Sequence, residues 1–128
     1  MIDHVAIFVP KGQLDTIADW YKRALRPLKY REIMRRPGAV GLGHEGIGLW
    51  LTEWEGTSVP KAHVALRAPD RPTVNDFHNA AVAADGVCNG APGIRSEYHE
   101  SYYATFVLDP LGNNIEVVDQ RSHEEEFR

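Results

Sequence analysis

Asp109-Pro110-Leu111-Gly112-Asn113-Asn114-Ile115-Glu116-Val117-Val118 is the stretch whose reading decides the fold. Asp-Pro and Gly-Asn are turn signals. Ile115 to Val118 follows as a short β run with an acid inside it. On a strand, Asn114, Glu116 and Val118 share one face, and Ile115 and Val117 take the other. An acid flanked by β-branched residues is either solvated on an outer face or buried with a partner, because glutamate is rarely buried unpaired. Two candidate partners stand elsewhere: His4 and His63 each open an apolar strand of their own. The three residues make a possible two-His, one-carboxylate metal site.

Outward from that stretch, the chain repeats itself. Ile2 to Val9 reads as a first strand, with Val5, Ile7 and Val9 on one face and His4, Ala6 and Phe8 on the other. Leu14, Ile17, Ala18, Tyr21, Ala24, Leu25 and Leu28 follow a helical period, which Pro27 should end. Strands over Lys29 to Met34, Ala39 to Leu42 and Ile47 to Trp54 complete the first half. After a polar Gly/Ser/Pro linker, His63-Val64-Ala65-Leu66 echoes His4-Val5-Ala6-Ile7. A second helical stripe follows: Val74, Phe77, His78, Ala81 and Ala84, with Asp70 or Thr73 as its cap and Gly86 at its end. Val87 to Tyr98 reads as loop-rich with a short strand, and Tyr102 to Leu108 and Asn113 to Asp119 read as strands. Gly46-Ile47-Gly48-Leu49-Trp50-Leu51 aligns with Gly112-Asn113-Asn114-Ile115-Glu116-Val117, so Trp50 occupies the slot equivalent to Glu116. The second half carries its extra residues between Asn89 and Ser101. The expectation is one α+β domain: module one at about residues 1–55, a linker at 56–60, module two at about 61–120 and a polar, frayed tail at 121–128.

Composition narrows the function. A chain of 128 residues suits one domain with a core of its own. The net charge of −4 is mild, and without a basic stripe nucleic acid is excluded as a partner. A single cysteine, Cys88, rules out an intrachain disulfide and suits a reducing compartment. No apolar run reaches membrane-spanning length, and no signal peptide precedes the first strand, so the expected location is cytoplasmic.

Pseudo-symmetry would bring His4 and His63 face to face, with small Ala6 and Ala65 beside them and Glu116 supplying a carboxylate. Such donors suit Zn, Fe, Mn, Ni or Co, with positions left for water or substrate. Trp50 cannot ligate; it either walls the cavity or packs in the core. The longer second half adds its own candidates: Arg95, Tyr98, His99, Tyr102 and Tyr103. Arg95 could hold a carboxylate or phosphate, His99 could transfer a proton, and Tyr102 or Tyr103 could stabilise a developing negative charge. The expectation is that His99 and one of the two tyrosines line the cavity. His78 reads as packing, His44 as a solvated turn residue and His123 as a solvated tail residue. Cys88 has no base beside it in sequence and is not proposed as a nucleophile.

The paired openings Asp3-His4-Val5-Ala6 and Ala62-His63-Val64-Ala65, the helix Ala18-Asp19-Trp20-Tyr21-Lys22-Arg23-Ala24-Leu25, and the ending Phe106 to Glu116 together resemble the vicinal oxygen chelate superfamily. Its members include glyoxalase I, bleomycin-resistance proteins, fosfomycin-resistance transferases and extradiol dioxygenases. The resemblance runs from Ile2 to about Gln120. It implies two βαβββ modules forming an open, cup-shaped mixed β-barrel around one divalent metal ion, helices outside, and frequent homodimers. It also implies metal chelation of a small oxygenated substrate with stabilisation of an enolate or oxyanion, of lyase, isomerase or hydrolase type. The alternatives are Fe(II)-dependent extradiol ring cleavage and drug binding of the bleomycin-resistance type. Two positions depart from the family. Trp50 stands where glyoxalase I has a fourth ligand, and Phe106 stands where fosfomycin transferases carry a tyrosine.

Overall fold

A computed structural model describes residues 1–121; the tail from Ser122, and with it His123, lies outside the described residues. The chain order is β1 (Val5–Pro10), α1 (Leu14–Ala24), β2 (Arg31–Arg36), β3 (Ala39–Gly43) and β4 (Ile47–Trp54). The same order then returns as β5 (His63–Arg67), α2 (Arg71–Ala83), β6 (Val87–Ile94), β7 (Tyr103–Leu108) and β8 (Asn114–Asp119). Each half makes its own four-stranded mixed sheet, ordered β1-β4-β3-β2 and β5-β8-β7-β6. The sheets do not close into a barrel. Their first strands pair in parallel with their last, and the registers match: Ala6 lies opposite Trp50, as Ala65 lies opposite Glu116.

The strand faces follow from alternation. Ile7, Val9, Val40, Leu42, Leu49 and Leu51 are buried under α1, and Val107, Ile115 and Val117 lie in the same core with α2. Among the described residues, no helix covers the opposite faces of the two sheets, which form the open, concave side of the cup. α1 ends one turn before Pro27, which sits inside a short 3-10 turn, and Lys29 then reverses the chain with φ 64°. α2 begins at Asp70, whose carboxylate accepts from the Thr73 backbone N–H at 2.8 Å and fills an otherwise orphaned helix-end donor.

The helices join the halves. α1 packs against α2 and covers β1, β3 and β4, while α2 covers β6, β7 and β8. The buried face of α1 is therefore wider than one helical stripe. Trp20, outside the predicted stripe, is 1% exposed. A Cβ placed on Gly86 would lie 2.8 Å from the Trp20 ring and 2.8 Å from Val107, which shows how closely α1 enters the second half.

β6 is a strand of eight residues, longer than a loop-rich reading allows. It is an edge strand, where Pro92 costs no ladder bond, and its pairing with β7 shifts register twice, between Cys88 and Gly90 and between Gly90 and Gly93. Residues 95–102 connect β6 to β7, whereas Pro37 and Gly38 suffice between β2 and β3. The additional length of the second half lies there. Among the described residues, no helix is long and apolar enough to cross a membrane.

Candidate metal centre

The turn between β7 and β8 is a closed hydrogen-bond network. Asp109 Oδ1 accepts from the backbone N–H groups of Leu111 at 2.9 Å and Asn113 at 2.8 Å. Its Oδ2 accepts from Asn113 Nδ2 at 2.8 Å and from the Tyr21 hydroxyl of α1. Gly112 supplies the left-handed φ of 87° that the turn requires. Asn113 Oδ1 then accepts the Ala62 backbone N–H at 2.8 Å, and the Asn114 N–H donates to the Ala62 carbonyl at 3.0 Å. One turn thus sets the entry of β5 and the start of β8, and with them the positions of His63 and Glu116.

Those two side chains meet on the concave face of the second sheet. His63 Nε2 lies 3.2 Å from Glu116 Oε1. The carboxylate is buried, at 4% residue exposure, and the imidazole is about half exposed. Glu116 is thus the buried, paired acid of the two readings its sequence allows. The other carboxylate oxygen, Oε2, accepts from the Tyr102 hydroxyl. Burial, first, and the bond and charge of Glu116 push the Tyr102 phenol up to about 12, so it remains the proton donor at neutral pH. Phe106 lies directly opposite Glu116 on β7 and stacks on the His63 ring, with centroids 6.2 Å apart.

The His63 tautomer follows from its second nitrogen. Nδ1 lies 2.9 Å from the Asn114 carbonyl oxygen, which can only accept, so Nδ1 carries the proton. In the neutral ring Nε2 then presents a lone pair toward a carboxylate oxygen. Two lone-pair groups at 3.2 Å need a cation between or beside them, either a proton on Nε2 or a metal ion. One imidazole and one carboxylate, oriented by outer hydrogen bonds, stand at a separation compatible with two neighbouring ligands whose bonds are about 2.0–2.2 Å, and a third protein donor does not join them within the described chain.

His4 is not brought to this pair. It precedes β1 on the other sheet, half exposed, with Nδ1 2.6 Å from Asp3 Oδ1. Among the described residues, no three His, Cys, Asp or Glu side chains gather closely enough to hold an ion. Of the candidates near the β6–β7 connection, Tyr102 reaches the site and Arg95 flanks it, with its guanidinium 5.6 Å from the Phe106 ring centroid. His99 stands exposed in the connection, its Nδ1 accepting from the Ser101 N–H at 3.0 Å. Tyr103 points to the helix side instead. Its hydroxyl donates to Asn75 Oδ1 at 2.6 Å, and Arg71 lies over its ring at 5.0 Å. The reason is parity, since Tyr102, Ala104 and Phe106 share one face and Tyr103 takes the other. Trp50 lies over Gly41 on the concave face of the first sheet, and Phe8 packs on Trp54 there, with centroids 4.9 Å apart. Sequence reasoning missed Asn113, Asn114 and Tyr21 as the groups that position the pair; the Asp-Pro-Leu-Gly-Asn-Asn turn itself was the available signal. Cys88 is exposed.

No protein-family model and no curated protein matches the chain. Solved structures do match. A glyoxalase/bleomycin resistance protein from Albidiferax ferrireducens T118 superposes with a TM-score of 0.75 at 20% identity, over 91% of this chain and 95% of that one. A glyoxalase/bleomycin resistance protein/dioxygenase family enzyme from Burkholderia phytofirmans PsJN gives 0.72 at 20% identity, over 94% and 98%. Lactoylglutathione lyase from Agrobacterium tumefaciens gives 0.67 at 17% identity, over 92% of each chain. With its two βαβββ halves, matched strand registers and these neighbours, the chain has the fold of the vicinal oxygen chelate superfamily, that of the glyoxalase, bleomycin-resistance and dioxygenase proteins.

Proposed function

We propose that the protein is a divalent-metal-dependent enzyme acting on a small oxygenated substrate, with His63 and Glu116 as two ligands from one chain and His4 of a second copy as the third. The observation that carries this reading is the His63–Glu116 pair: Nε2 lies 3.2 Å from a buried carboxylate oxygen while Nδ1 is engaged by the Asn114 carbonyl. A second copy is invoked because His4 opens the first sheet as His63 opens the second, yet lies apart from the pair within one chain. Among the described residues no helix covers either concave face, and a homodimer that laid one face on the other would cover them and complete the donor set.

When bound, the metal would act as a Lewis acid, polarising substrate oxygens and favouring an enolate or oxyanion. The chain's own residues do the rest. Asn114 holds the His63 ring in one tautomer. Tyr102 holds Glu116 Oε2, leaving Oε1 for the ion. Phe106 stacks against the imidazole and covers one of its faces. The Trp50, Phe8 and Trp54 surface of the other half would form the opposite wall in the dimer and take an apolar part of the substrate. The reaction is of isomerase, lyase or hydrolase type, each of which passes through a stabilised oxyanion. That aromatic surface also favours a second reading, a small-molecule binding protein without metal chemistry.

The test is titration calorimetry with Mn, Fe, Co, Ni and Zn alongside sedimentation velocity. The expected result is a dimer binding one equivalent per chain, with affinity reduced roughly 10- to 100-fold or more in Glu116→Gln and His63→Ala. Mixing His4→Ala chains with His63→Ala chains should restore one intact site per mixed dimer. No saturable binding of any of these ions near neutral pH would overturn the metalloenzyme reading and leave the binding protein. Normal binding by His4→Ala would remove His4 from the set.

A further inference from the structure

Arg95 is held in place by its packing with most of its donors unspent. Its guanidinium lies over Phe106, the residue that also stacks on His63, so it flanks the same concave face as the His63–Glu116 pair. Beneath it runs the glycine-bearing part of β6. A Cβ on Gly90 would lie 3.2 Å from Arg95 Nη2 and 2.9 Å from Phe106 Cδ1, and a Cβ on Gly93 would lie 3.1 Å from Nη1. Two glycines, at two register shifts of one edge strand, thus clear a flat bed for a planar cation. Nη2 donates to the Ala91 carbonyl at 2.6 Å, which fixes the plane of the group. Among the described residues, no carboxylate pairs with it. Arginine stays charged at all relevant pH values and has five N–H donors in a fixed fork. One bond fixes the group, and most of the fork is left for something else.

We propose that Arg95 is an oxyanion-binding group on the sheet face that carries His63 and Glu116, and that its ligand bears a carboxylate or phosphate. This rests on the functional reading above for the identity of that ligand as substrate, though not for the anion site itself. The planar, bidentate match of guanidinium to a carboxylate or phosphate supplies orientation as well as affinity. Phe106 contacts both the guanidinium and the His63 imidazole, which ties the anion site to the pair. Gly93 is a positioning residue: it touches no ligand and acts by leaving Arg95 its bed.

The test uses chelator-treated protein, so that oxyanion and metal binding are read separately. Benzoate and phenyl phosphate are titrated into the full chain, with benzyl alcohol as the uncharged control, and followed by amide and guanidinium NMR shifts. Both anions should saturate a site that shifts Arg95, Ala91 and Phe106, and benzyl alcohol should not. Arg95→Gln should lose affinity by roughly tenfold or more, and Arg95→Lys should lose several-fold because the fork is gone. Gly93→Ala meets only the far end of the flexible Arg95 side chain at short range, so it should fold normally and weaken binding by about two- to fivefold. Metal titration on the same Arg95→Gln protein should match wild type, and His63→Ala should keep the anion site. Unchanged anion affinity in Arg95→Gln, or no saturable binding of either anion, overturns the proposal while leaving the metal reading intact. Loss of the metal reading with anion binding retained does the reverse.

Discussion

Tyr21→Phe removes one oxygen atom and should loosen the joint between the two halves. The hydroxyl of Tyr21, from α1 in the first half, donates to Asp109 Oδ2 in the β7–β8 turn of the second. Both residues are buried, at 0% and 3% exposure. A hydrogen bond to a charged group contributes about 1.5–3 kcal/mol. Asp109 keeps three other donors after the change: the Leu111 and Asn113 N–H groups on Oδ1 and Asn113 Nδ2 on Oδ2. The carboxylate is then under-satisfied, not orphaned, so the expected loss sits at the lower end, about 1.5–2 kcal/mol. Asp109→Ala strands all four donors at once and should cost about 3 kcal/mol or more. In the double variant the two losses should fall short of their sum, because the Tyr21–Asp109 bond can be lost only once.

Urea unfolding at neutral pH measures this as a shift of midpoint at unchanged slope. The pH dependence gives a second reading. Burial, then the charge and hydrogen bond of Asp109, raise the Tyr21 phenol well above its ordinary value. A tyrosine in the unfolded chain ionises near about 10, whereas the folded one stays protonated. The stability that Tyr21 confers is therefore constant below about pH 10 and declines above it, so the gap between wild type and Tyr21→Phe should narrow only in strong alkali. A loss below about 0.5 kcal/mol, where ordinary surface changes fall, or a gap that closes near neutral pH, would refute the argument.

Two further changes probe the elements around the site. Asp70→Ala should cost about 1 kcal/mol at neutral pH by uncapping α2. The Thr73 hydrogen bonds lower the Asp70 carboxyl, so the cap is present above its unfolded value and is lost as pH falls through the folded one; the gap to wild type should shrink on acidification, as thermal unfolding across the carboxylate range would show. Gly86→Ala puts a methyl 2.8 Å from the Ala81 carbonyl, the Trp20 ring and Val107, none of which can swing away, and should lose about 1–3 kcal/mol in urea with a change in tryptophan emission.

Much of the fold was legible because strand parity and helical period are local rules. The alternation around Ile7, Val9, Ile115 and Val117 names the core faces, and the repeated His-Val-Ala opening names the two halves. The alignment of Trp50 with Glu116 reappears as two equivalent registers, Ala6 with Trp50 and Ala65 with Glu116. What escaped depends on partners distant in sequence. Trp20 is buried because α2 and Val107 lie against it, and no local pattern reports that. β6 hides behind Gly90, Pro92 and Gly93, residues that read as loop until an edge position makes them tolerable. Tyr103 was separable from Tyr102: once Phe106 is set opposite Glu116, a count back along β7 puts Tyr102 on the site's face and Tyr103 on the helix side. His4 remains apart because packing through the helices, unlike strand parity, is not written in any one half.

The two halves also explain why the acid stands where it does. The cross-strand pair Gly41–Trp50 in the first sheet is equivalent to Phe106–Glu116 in the second. Each pair holds one large aromatic ring on the concave face, but on opposite strands. In the first sheet Trp50 occupies the last strand and needs a bare neighbour; a Cβ on Gly41 would sit 3.1 Å from its ring. In the second sheet the aromatic residue has moved to β7, which frees the β8 position for a carboxylate beside His63. Restoring a ring at position 116 would meet Phe106 directly across the ladder, and placing an acid at position 50 would leave it opposite a glycine. The duplicated scaffold therefore differs between its sheets: the first presents an aromatic surface, and the second presents the His63–Glu116 pair and the hydrogen bonds that aim it.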